Sequence, residues 1–171
     1  FNNLRWFGRG PHETYWDRQT GAAYGIYQSS VEDTIHPYVR PQEVGNMTNV
    51  RWVTVTNNEG VGLMAVGKPS LYVSAWPFKM AELENAAHAN ELVRRNITTL
   101  NLDYKQMGLG GDNSWGARPH SEYTLPAANS YRYSFVLRPY DGNVSNAEEL
   151  FKTKLPVTSS VAIERAKDGV V

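Results

Sequence analysis

Apolar and polar positions alternate with a period of two in most of the readable segments of this chain, the pattern of half-buried strands. In "VRWVTVTNN", Val50, Trp52, Val53 and Val55 stand among polar partners, and Asn57, Asn58, Glu59 and Gly60 then supply a turn. "VGLMAVG" follows at once and reads as the second strand of a hairpin. "SLYVSAWPF" is a further short strand closed by Pro77. "ITTLNLDYKQMG" sets Ile97, Thr99, Asn101 and Asp103 on a mixed face and Thr98, Leu100, Leu102 and Tyr104 on a more apolar one. "YRYSFVLRPY", rich in aromatics that favour strands, is a strong strand near the end.

Only "KMAELENAAHANEL", Lys79 to Leu92, has helical composition, and its apolar stripe is thin. It predicts one or two short helical turns. "VEDTIHPYVRPQEVGN" carries Pro37 and Pro41 and predicts a loop or an edge element. From Asp141 to Val171 the chain changes character: "DGNVSNAEELF" suits a short helical turn and "KTKLPVTSSVAIERAKDGVV" one more strand. There is no internal repeat. The whole predicts an all-β domain, a two-sheet antiparallel sandwich with long loops.

Composition narrows the function classes. At 171 residues and 41% hydrophobic, the chain suits one globular domain with a sizeable core. Seventeen basic residues against seventeen acidic ones give no electrostatic case for nucleic acid or an anionic membrane. No apolar stretch approaches the roughly 20 residues of a membrane helix. The opening "FNNLRWFGRG" lacks both an initiating Met and the layout of a signal peptide, as expected of a chain that starts inside a longer protein. The lack of cysteine excludes disulfides and thiol catalysis.

Candidate chemistry is sparse. Glu13 in "GPHETYWDR" and Glu43 in "RPQEVGN" are the best-placed carboxylates for a glycosidase pair, each among Gly, Pro and aromatics on a loop. The competing expectation is that each pairs with an arginine, Arg18 or Arg40, or accepts backbone N–H groups to fix its loop. His12, His36, His88 and His120 are scattered without metal-site spacing, and His88 reads as a packed or hydrogen-bonded structural residue. No GxSxG elbow is present. "GLGGDNSWG" lacks the lysine of a phosphate loop. Its glycines permit a tight loop ending in Trp115. An indole there can seal a core or interface, or it can offer a flat apolar surface to the C–H face of a sugar. Asp112, Asn113 and Ser114 would then hydrogen-bond the hydroxyls. The residues alone leave both readings open.

Six blocks taken together go further: "WFGRGPHETYWDR", "HPYVRPQEVGN", "SAWPF", "AHANEL", "NLDYKQMGLGGDNSWG" and "YRYSFVLRP", in that order. From about Leu4 to Pro139 they closely resemble the C-terminal domain of the large multidomain bacterial β-galactosidases of glycoside hydrolase family 2. The resemblance implies a large antiparallel sandwich, the supersandwich similar in shape to galactose mutarotase, with first strands that in the family begin upstream of Phe1. Residues 1–140 would form this domain and residues 141–171 a tail holding a further strand or a short helix.

The resemblance also implies a division of labour. Both catalytic glutamates of the family belong to a separate β/α-barrel, so no catalytic residue, metal ligand or cofactor is expected in this chain. Cation use by the parent enzyme is left open. The loop matching "GGDNSWG" reaches the mouth of the barrel, where Trp115 would form part of the platform for a β-galactoside. Asp112 and Asn113 would shape that loop beside Ser114. His12, Glu13, Arg40 and Glu43 would line the same mouth or be structural. Expected partners are the sugar, the barrel and other domains, and a second copy in a homo-oligomer. The expected setting is soluble, in bacterial cytoplasm or periplasm. Two other classes compete: an independent carbohydrate-binding module, and a purely structural or oligomer-interface domain.

Overall fold

The computed structural model describes residues 1–143 and 146–153. Six antiparallel strands form one sheet among these residues: β1 (Asn3–Gly10), β2 (Ala23–Ser30), β3 (Met47–Thr56), β4 (Val61–Trp76), β5 (Thr99–Asp103) and β6 (Ser134–Asp141). The order β2-β1-β3-β4 places β4 inside, and its far edge is shared by β6, which pairs Val61–Lys68, and β5, which pairs Tyr72–Trp76. The all-β, antiparallel architecture expected of a sandwich domain is therefore present.

The β3–β4 hairpin forms where the alternation and the Asn57–Gly60 turn placed it. Asn57 Oδ1 accepts the N–H groups of Glu59 and Val61, and Gly60 takes φ +81°. The two strands expected after that turn are in fact one. Between the pairs Trp52–Val66 and Val50–Leu71, four residues of β4 (Gly67 to Ser70) oppose the single residue Arg51. Gly and Pro in this stretch mark a bulge inside a continuous strand rather than its end. β1 and β2 carry weaker alternation and were not anticipated. The region from Lys79 to Leu92 forms α1 (Met80–Asn85) and a 3-10 turn (Ala89–Glu91), the short turns expected. The Val31–Asn46 region is a loop holding one 3-10 turn (Glu32–Thr34).

Among the described residues, three apolar clusters hold the fold. On one sheet face Leu4, Trp6, Val53, Val55, Ala65, Leu71 and Val73 pack with Val31, Leu100 and Leu102. On the other, Trp52, Met64 and Val66 are covered by α2 (Ala147–Lys152), with Phe7 and Phe151 in edge contact. Arg5 ties this helix down through Glu148 and lies over the Trp52 ring. At the β5 end, Trp76 and Phe78 pack with Val44 and Leu83, and the Trp76 indole donates to the Val44 carbonyl. Each large side chain so buried is worth about 1.5–3 kcal/mol. The short helix expected from "DGNVSNAEELF" is thus present, capped by the Asn146 side chain. The last expected strand lies almost wholly outside the described residues.

Candidate functional site

At one end of the sheet, the turn after β1, the 35–44 loop and the chain after β5 surround two adjoining open clefts of about 790 and 650 Å³. Tyr15 and Leu109 border both. Glu13 organises the first. One carboxylate oxygen accepts the Gly45 N–H at 2.8 Å and the Tyr15 hydroxyl at 3.5 Å, and the other accepts the Tyr38 hydroxyl. Hydrogen bonding to Glu13, with some burial, pushes the Tyr38 phenol up to about 12. Burial, helped by Glu13, raises the Tyr15 phenol further. Of the two ways expected for Glu13 to fix its loop, the backbone N–H contact is made and the arginine pairing is not. Arg18 instead lies against Gly110.

The second cleft carries Glu43, Asp103, Lys105 and Gln106. Gln106 Nε2 donates to Glu43 and to Asp103, at 3.3 and 3.2 Å. Desolvation, and then the Asp103 charge, raise the Glu43 carboxyl above its ordinary value despite the Gln106 bond. Glu43 makes no ion pair with Arg40, which is exposed and has no side-chain partner among the described residues. The Lys105 ammonium sits 3.3 Å from the centroid of the Trp16 ring. Desolvation lowers its pKa.

Trp115 stands apart from these walls, 90% exposed at the tip of the 108–120 loop. Glycines shape the neck of that loop. A Cβ on Gly111 would meet the Ala117 carbonyl oxygen at 2.1 Å, and one on Gly108 would meet Asp17 and Tyr123 at 2.8 Å. Gly108 N–H donates to the Tyr123 carbonyl at 2.7 Å. Beyond the neck, Asp112 bonds the His120 imidazole at 2.7 Å and Asn113 Oδ1 accepts the Trp115 N–H at 2.9 Å. Gly116 takes φ +104°, a conformation that favours glycine directly after the indole. Ser114 is exposed. The ring is therefore no plug for this chain's core.

His12 and Glu13 line the first cleft and Glu43 the second, while Arg40 lines neither. His88 is exposed and bonded to Glu91, hydrogen-bonded as expected but not packed. Sequence reasoning missed Tyr38, Lys105 and Asp17, whose contacts join segments far apart in the chain. Among the described residues no group of His, Cys, Asp and Glu could hold a metal, and no helix is long and apolar enough to cross a membrane.

Residues 1–137 match the family model described as "Beta galactosidase small chain". The chain belongs to that family. Similar relatives, each called a β-galactosidase, include those of Priestia megaterium, 48% identical over 81% of this chain, and Streptococcus thermophilus, 40% over 81%. A third, from Vibrio cholerae, is 37% identical over 80%. The small-chain segment spans only 13–14% of the length of these relatives. The resemblance to a β-galactosidase domain read from the six sequence blocks is thereby shown.

Proposed function

We propose that this small-chain segment is a non-catalytic domain of a β-galactosidase that lends Trp115 to a sugar-binding mouth housed in a separate barrel. The 90% exposure of that indole carries the reading. An indole exposed to this degree has a large apolar area to gain by stacking on a sugar face. The proton-moving glutamates would lie outside the chain, because Glu13 and Glu43 are engaged with neighbouring loops. Binding energy from a part of the substrate remote from the broken bond orients it without any proton transfer. Asp112, Asn113 and Ser114 would present polar groups beside the ring, and the β-galactoside and the barrel are the partners. Whatever cations the whole enzyme uses would be held elsewhere.

In the full-length enzyme, Trp115→Ala is expected to raise KM for lactose about 10-fold, equivalent to about 1.4 kcal/mol of lost stacking, while the melting temperature stays unchanged. The 171-residue chain alone is expected to leave a chromogenic galactoside intact. Unchanged kinetics in the variant would remove the platform role, and reproducible turnover by the chain alone would overturn the non-catalytic reading.

A further inference from the structure

The loop that carries Trp115 has no regular secondary structure, so something outside it must fix where its tip points. The contacts at its neck converge on one side chain. Asp17 Oδ2 accepts the backbone N–H groups of both Leu109 and Gly110, at 3.0 and 2.7 Å. Gly108 and Gly110 lie so close to Asp17 that a Cβ on either would approach its carboxylate to 2.8 and 3.2 Å. The anchor is itself tied to the sheet. Asp17 belongs to the 3-10 turn Trp16–Gly21, and the Arg9 guanidinium at the end of β1 donates to the carbonyls of Gln19 and Ala22, at 2.8 and 2.9 Å. Next to it, the Trp16 ring meets the edge of Tyr123, whose carbonyl holds Gly108. A mechanical line thus runs from β1 through the 3-10 turn and Asp17 to the neck of the loop.

We infer that Asp17 is a positioning residue that holds the Trp115 loop in register with the sheet, so that the indole meets the sugar in one orientation. The inference rests on the platform reading of Trp115. Both N–H groups converge on the same oxygen, while Oδ1 is buried without a hydrogen-bond partner among the described residues. Geometry can therefore be tested apart from charge here. An asparagine that keeps its carbonyl oxygen at the Oδ2 position preserves both bonds, whereas an alanine loses both.

The test is a double-mutant cycle in the full-length β-galactosidase, with lactose kinetics and hydrogen exchange of the 107–118 peptide read together. Asp17→Ala is expected to raise KM on the order of 10-fold at nearly constant kcat, as misplacement of a binding group does, and to speed exchange of the peptide. Asp17→Asn should stay within about 3-fold of the parent, because both bonds to the loop can still form. In a Trp115→Ala background, Asp17→Ala should change KM no further. A purely structural role would instead lower kcat through loss of folded enzyme, equally in both backgrounds, and that outcome overturns the inference. So does an unchanged KM in Asp17→Ala where Trp115→Ala alone raises it, a result that leaves the platform reading standing. If Trp115→Ala has no effect, the platform reading falls and the inference falls with it.

Discussion

His120 and Asp112 close the tip of the Trp115 loop by an exposed contact that strengthens when the imidazole is protonated. The Asp112 hydrogen bond, and after it the Asp112 and Glu122 charges, raise the imidazole above its ordinary value of 6.5. Because the folded value is the raised one, the stabilisation is complete below the ordinary value and is lost as pH rises through the folded one. In an NMR titration His120 is expected to titrate above 6.5, and Asp112→Asn to bring it back toward that value. A His120 that titrates normally in the parent chain would show that the contact does not form in solution. At this scale the sequence was half legible. Trp115 stood out because a large aromatic among glycines cannot be buried locally. Asp17 did not, because its two N–H partners lie 92 and 93 positions away, beyond any local pattern.

The β3–β4 hairpin and β5 declared themselves through local alternation and turn residues, although the centre of the hairpin is buried on both faces. The bulge at Gly67–Ser70 disguised β4 as two strands, because a Gly and a Pro that punctuate sequence locally do not end a strand whose pairing with β3 resumes beyond them. The hairpin also separates two ways in which a glycine matters. At Gly60 a Cβ would meet only Asn143 and Gly142, no nearer than 3.6 Å, so Gly60→Ala suffers mainly from φ +81°. At Gly62 a Cβ would lie 1.9 Å from the Val55 carbonyl oxygen, and β3 and β6 hold both edges of the strand. Urea denaturation of the chain is expected to show Gly60→Ala destabilised by about 1–2 kcal/mol and Gly62→Ala by about 3 kcal/mol or more. The reverse order would mean that the strand relaxes freely around position 62.

Across the whole molecule, the apolar face that forms the main core does not stop where its covering stops. Antiparallel pairing sets Leu137 beside Ala65, Phe135 beside Gly67 and Pro139 beside Leu63, all continuing the face of Val53 and Val55. Yet Leu63 and Leu137 are 48% and 53% exposed. Tyr104, Tyr131 and Tyr133 extend the same strip through ring contacts to Phe135. No sequence pattern could have revealed this, since alternation says which residues share a face and not whether anything covers it. Water contact over so continuous an apolar strip favours association. The 171-residue chain on its own is therefore expected to self-associate in sedimentation velocity at tens of micromolar, equivalent to about −6 kcal/mol of association. The Leu63→Ser, Leu137→Ser pair should return it to a monomer, because one serine on each of two neighbouring strands interrupts the strip at its centre without entering the buried core. A parent chain that sediments as a monomer and leaves a dye specific for apolar surface dark would show that the strip is covered by the chain itself.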